Sequence, residues 1–130
     1  MAIYKTIIAI LIFSSLNATA AKTVDTKDPI YKSWLYYKNA SNEFNKGNYN
    51  EALDNAQKSN MFKPNKKSKK LIQKIREIGY SNVKNGTALI NFDPILAKEY
   101  LTKAKALIDP KDKKTLEQIE KELKSLETAQ

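Results

Sequence analysis

From Asp28 onward apolar side chains recur at intervals of three and four rather than two, the spacing of one face of an α-helix. Ile30, Trp34, Tyr37, Ser41 and Phe44 form a stripe that predicts a first helix over about Pro29 to Lys46. A second is expected over about Asn50 to Phe62. A third begins near Lys66 and carries Leu71, Ile72, Ile75, Ile78 and Val83. The fourth, Pro94 to Ile108, aligns Leu96, Ala97, Tyr100, Leu101, Ala104 and Leu107. In the fifth, starting near Asp112, Leu116, Ile119, Leu123 and Leu126 keep a 3-4-3 rhythm. No segment shows the sustained alternation of a half-buried strand.

Three Asp-Pro dipeptides punctuate this pattern. An Asp side chain can accept from the free N–H groups of a first helical turn, and Pro is preset for that turn. Asp28-Pro29 and Asp93-Pro94 are therefore expected to start helices. Asp109-Pro110 is expected to end one and lead into the next.

The run Gly47 to Asn65, GNYNEALDNAQKSNMFKPN, carries more detail. Ala40 is a small residue of the first helix, and Gly47 stands where the chain must turn, a place for a left-handed backbone. Asn48 is a candidate cap of the second helix. Tyr49, Glu51 and Ala52 follow, then Leu53, Ala56, Ser59 and Phe62, with Pro64 closing the unit. Across Ser33 to Lys66 this order resembles the tetratricopeptide (TPR) repeat, a 34-residue pair of antiparallel helices. It departs from the family pattern at Asn39 and Glu43, where Leu and Tyr are usual, and Trp34 stands two positions early.

Helices three and four resemble a second, degenerate unit over about 67–110: Ala97, Leu101 and Ala104 repeat the spacing of Ala52, Ala56 and Ser59. From Gly79 to Ala97 is 18 positions, against 12 from Ala40 to Ala52, so about six residues near Asn85 to Phe92 are extra. A longer third helix or a longer loop would absorb them without any further role. The last helix, with Glu117, Glu120, Lys121, Glu122, Lys124 and Glu127 outward, reads as the amphipathic cap such a stack needs. The expected fold is all-α: a TPR-like stack of two antiparallel helical hairpins plus a C-terminal capping helix, over 29–128. The resemblance implies binding of another molecule rather than catalysis. It also implies that the first helix lines a concave groove, presenting Trp34, Tyr37, Ser41, Phe44 and Asn45. The same stripe has core-face spacing, and burial is the expectation for Trp34 and Phe44. Tyr36 and Tyr37 cannot both point inward.

The amino terminus belongs to a different category. Lys5, the apolar run Ile7 to Phe13 and the small-residue end Ala18-Thr19-Ala20 are the three zones of a secretory leader. The uncharged stretch Thr6 to Ala21 is shorter than the roughly 20 apolar residues that span a bilayer. The chain is accordingly expected to be exported, periplasmic or secreted, with residues 1–20 removed and 21–28 a short linker to one small domain. No cysteine follows the cleavage point, so a lipid-anchored form is not expected.

With no Cys and no His among 130 residues, thiol nucleophiles, zinc sites and His-dependent triads are excluded. Three glycines cannot build a phosphate-cradling loop. Glu43, Glu51 and Asp54 are the best-placed carboxylates, and their helical positions read as solvated. No catalytic residue, cofactor or metal is assigned.

Charge points to partners instead. Removing Lys5 with the leader leaves 22 basic against 14 acidic side chains, a formal charge of +8. From Asn55 to Arg76 there is no acidic residue. Lys63, Lys66, Lys67, Lys69, Lys70, Lys74 and Arg76 form a candidate anion-binding patch on the first turns of helix three, where they oppose the helix dipole. Solvated lysines on an exposed helix are the plain alternative. Export argues against nucleic acid as partner. The expected partner is another protein of the envelope or outside it, with an acidic face, recognised through the groove. The alternatives are an anionic lipid, polysaccharide or wall-polymer surface, or a host or competitor protein as target of a secreted factor. A two-unit stack also invites pairing with a second copy.

Overall fold

A computed structural model describes residues 25–128; the segment expected to be a leader, and the expected linker as far as Val24, lie outside them. Five helices follow in order: α1 (Pro29–Asn45), α2 (Tyr49–Phe62), α3 (Lys66–Leu89), α4 (Pro94–Lys105) and α5 (Lys113–Thr128). Among the described residues there is no strand. The molecule is all-α, a stack of helical hairpins: α1 packs on α2, α3 packs on both α2 and α4, and α5 covers α4.

The punctuation acts as the residues require. Asp28 accepts from Ile30 N and Asp93 from Leu96 N, with Pro29 and Pro94 in the first turns they open. Gly47 has φ +83°, which lets the chain leave α1 with Gly47 N bonded to Phe44 O and Asn48 N to Glu43 O, the closure typical of a helix C-terminus. Asn48 occupies the cap position of α2, but its side chain makes no cap bond. Its amide donates to Glu43 Oε1 at 2.8 Å instead, tying the turn back to α1 and holding the Glu43 carboxyl below its usual pKa. In the third Asp-Pro, Asp109 accepts from Lys111 N. The fourth helix is shorter than the apolar pattern predicts: it stops at Lys105, and Leu107 and Ile108 bury their side chains from the following turn.

Two cores lie end to end along α3. The first gathers Ala40 of α1, Ala52, Leu53 and Ala56 of α2, Leu71 and Ile75 of α3, and Leu107. The second gathers Val83 of α3, Ala97, Leu101 and Ala104 of α4, Ile108, and Ile119 and Leu126 of α5. The extra residues near Asn85 to Phe92 are thus chiefly added helix: α3 runs for 24 residues, long enough for its first half to face one hairpin and its second half the next. Gly79 and Gly86, seven positions apart on one helical face, let the neighbouring chain come close. A Cβ at Gly79 would stand 2.8 Å from Leu107 Cβ, and one at Gly86 2.7 Å from Leu101 Cγ.

Polar bonds fasten the junction. Arg76 Nη1 donates to Leu107 O at 2.9 Å. Asp112 accepts from Thr115 N and Thr115 Oγ1 at the start of α5, and from the Tyr80 hydroxyl of α3. Thr87 Oγ1 donates to Glu122 Oε1 at 2.7 Å.

On α1 the buried face corrects one expectation. Ser33 and Ala40 are buried, with Tyr37 and Phe44 packed beside them. Trp34 is 53% exposed and Ile30 58%. The inward stripe begins at Ser33 because α1, α2 and α3 converge there, and the gap has room for a hydroxymethyl group but not for an indole.

Two expectations follow. Gly79→Ala and Gly86→Ala each gain about 1 kcal/mol of helix propensity yet are predicted to destabilise, because overpacking costs about 1–3 kcal/mol. Gly79→Ala is predicted to be the worse, since it meets Leu107 Cβ and two Leu107 backbone atoms, at 3.2 and 3.3 Å, whereas two of the three atoms near Gly86 belong to the outer Leu101 side chain and one, Ala97 O at 3.2 Å, to backbone; urea midpoints measure both. The Tyr80 contact supplies the second. The Tyr80 hydroxyl, followed by Thr115, holds the Asp112 carboxyl below its usual pKa, so the stabilisation is present above the unfolded value of about 3.9 and is lost as pH falls through the folded one. Asp112 raises the Tyr80 pKa, so that part is present below about pH 10 and is lost as pH rises through the folded value. Urea titrations across pH should show both losses, diminished in Tyr80→Phe.

Candidate functional site

A groove of about 370 Å³ runs between α1 and the start of α3. From α1 come Ile30, Trp34, Tyr37 and Ser41; the α2–α3 turn adds Lys63 and Asn65, and α3 adds Lys67. Ser33, Lys38 and Asn42 complete it, and no carboxylate lines it.

Its floor is a closed hydrogen-bond network. Ser59 Oγ donates to Ser33 O at 2.6 Å, and Ser68 Oγ donates to Ser59 Oγ at 2.6 Å. Ser33 Oγ donates to Lys63 O at 3.2 Å. Asn65 Nδ2 donates to Lys63 O at 2.8 Å and to Ser33 Oγ at 3.2 Å, while Asn65 Oδ1 caps α3 by accepting from Ser68 N at 2.8 Å. Ser59 and Ser68 are fully buried, and each hydroxyl proton has an acceptor, as burial demands. These hydroxyls have no general base beside them and act as structural links between α1, α2 and α3.

The walls are aromatic and cationic. The Trp34 ring lies 6.0 Å from that of Tyr31 and carries Lys38 Nζ at 5.2 Å from its centroid. Lys67 Nζ stands 5.9 Å from the Tyr37 centroid. Such contacts hold a lysine beside an aromatic face while leaving its charge available to a ligand.

Of the residues expected in a groove, Trp34, Tyr37 and Ser41 line it together. Phe44 and Asn45 do not: Phe44 packs edge-on to Tyr49 at 5.4 Å against the first core, and Asn45 faces solvent at the end of α1. The basic residues divide as a helix of 3.6 residues per turn requires. Lys63 and Lys67 reach the groove, and Lys74, seven residues on from Lys67, shares its side of α3. Lys70, three residues on from Lys67, stands on that side too without lining the groove, and Lys66 and Lys69 are exposed on other faces. Arg76 is half-buried in the bond to Leu107 O. The groove also holds residues that the sequence stripe did not mark as a site: Lys38, Asn42 and Asn65. Lys38 had a legible signal, standing one helical turn after Trp34; Asn65 had only its place before the third helix.

A larger cleft, of about 630 Å³, lies where α2 and α4 stand apart on α3. Both Glu51 and Lys103 line it, with Tyr49 and Tyr100, so it lacks the single sign of charge that marks the groove. Among the described residues no cluster of His, Cys, Asp or Glu is placed to hold a metal ion.

Comparison of the chain with protein-family models, with curated proteins and with solved structures finds no match. The groove therefore has to be read from its own chemistry.

The serine network yields a prediction. Ser59→Ala removes the acceptor of Ser68 Oγ and the donor to Ser33 O, and is expected to cost about 1–3 kcal/mol. Since both side chains belong to one network, Ser59→Ala with Ser68→Ala should cost less than the sum of the single changes, as measured by denaturant unfolding.

Proposed function

We propose that this chain is an exported, non-catalytic, TPR-like binding module that holds an acidic segment of another protein in the α1–α3 groove. The observation that carries the reading is the half-exposed Trp34 beside Tyr37 in a groove whose charged side chains, Lys38, Lys63 and Lys67, are all positive. Aromatic side chains that a partner desolvates dominate binding energies, and a rim of one sign speeds the encounter with an opposite charge. The TPR-like reading is supported by the left-handed Gly47 between α1 and α2 and by the complete burial of Ala40, Ala52, Ala56 and Ser59 where the helices meet. Export rests on the leader pattern of residues 1–20, and a periplasmic or secreted partner follows from it.

A photo-reactive residue at Ser41 is expected to trap one protein in the producing cells, whereas the same group at Lys121, on the outside of α5, traps none. Trp34 is the only tryptophan, so its emission should shift when a synthetic acidic segment of the trapped protein binds. Tyr37→Ala should weaken that binding by about 2 kcal/mol, roughly thirtyfold, and raised salt should slow association more than it speeds release. Equal trapping at both positions would overturn the groove as the binding site.

A further inference from the structure

A second surface lies at the edge of the stack where α1 begins, α2 ends and α3 begins. The bonds from Ser33 to Lys63 O and from Ser68 to Ser59 hold these three termini together. Large apolar groups protrude there: Met61 is 81% exposed, and Phe62 is 38% exposed while its ring stacks on Tyr36 at 5.5 Å. One lysine lies against them, and three more open the helix that follows. Lys32 Nζ lies 5.0 Å over the Phe62 ring, and Lys66, Lys69 and Lys70 are exposed on the first turns of α3. None of these four lysines has an ion-pair partner among the described residues. Carboxylates are few here. Asp25 and Asp28 accept from backbone N–H groups at the start of α1, and Asp54 pairs with Lys58 at 3.0 Å.

We infer that this edge docks on the surface of an anionic phospholipid bilayer. The exposure favours a bilayer over a protein segment: Met61, Phe62, Lys66 and Lys70 are exposed and line neither the groove nor the larger cleft. A planar surface reaches such an edge where an extended chain finds no wall. The chemistry agrees. Protruding Met and Phe side chains enter the boundary between headgroups and acyl chains, while lysines on flexible stems remain with lipid phosphates. No described helix is long and apolar enough to cross a membrane, so the attachment is peripheral. It is independent of the groove reading, because Met61, Phe62, Lys66 and Lys70 lie outside the groove.

The test uses the protein recovered after export, its amino terminus read by mass spectrometry, and co-sedimentation with vesicles of phosphatidylglycerol in phosphatidylcholine or of phosphatidylcholine alone. Binding is expected only to the anionic vesicles, and it should weaken steeply as salt is raised. Lys66→Glu with Lys70→Glu should lower the affinity more than about tenfold. Met61→Glu should lower it more than about fivefold, and Tyr37→Ala should leave it unchanged. Circular dichroism checks that each variant is folded. Equal binding to both kinds of vesicle, no binding to either, or a Met61→Glu protein that binds as the wild type does would each overturn the inference, the last by reducing the contact to charge alone. Failure of the Ser41 cross-link with vesicle binding intact would strike the groove reading and not this one.

Discussion

Three buried serine hydroxyls determine how α1, α2 and α3 can meet. Ser33, Ser59 and Ser68 sit where the three helices converge, and their bonds run from α3 to α2 to the backbone of α1. A larger side chain at any of these positions would force the helices apart, and an apolar one at Ser59 would leave the fully buried Ser68 hydroxyl without its acceptor. Asn65 extends the network into the turn and caps α3 with the same side chain. The direction of α3 is thereby set from its first residues. Everything C-terminal to it is built on that direction.

The rest of the molecule uses α3 as a spine. Its first half completes the core of the α1–α2 hairpin, and its second half receives α4 and α5. Gly79 and Gly86 allow the second contact to be close, and Arg76, Tyr80 and Thr87 fasten it with polar bonds outside the core. The offset of the hairpins along α3 is the consequence of its length. It also leaves the cleft in which Tyr49 and Tyr100 face the same space.

Close packing at the serine junction has an outward effect. Because Ser33 takes the inward position, its neighbours Ile30 and Trp34 are turned towards solvent, and the turn that follows α2 brings Lys63 and Lys67 to the same side. An aromatic surface and a basic one, far apart in sequence, become two parts of one groove. Lys66, Lys69 and Lys70 do not line it and open α3 just after the turn that follows Met61 and Phe62.

Much of the fold was legible because its signals are local. Periodicity, the Asp-Pro starts and Gly47 report on a few consecutive residues, and each acts within a turn or two of helix. Leu116, Ile119, Leu123 and Leu126 named the inward face of α5 without reference to anything it packs on. The site was legible only in part. Trp34, Tyr37 and Ser41 could be placed on one face of α1, but a stripe cannot distinguish a face that meets a helix from one that meets solvent. Lys38 and Asn65 joined the groove through contacts between helices. The amino-acid sequence by itself determined five helices, their ends to within a turn or so, and an uneven positive charge, because these depend on neighbours along the chain. Only the tertiary structure decided that Ser33 rather than Trp34 turns inward, that the extra residues lengthen a spine shared by two cores, and that Arg76 bonds a backbone carbonyl at a helix junction. Each of those outcomes depends on how closely two segments distant in sequence can approach, and that distance is set by packing.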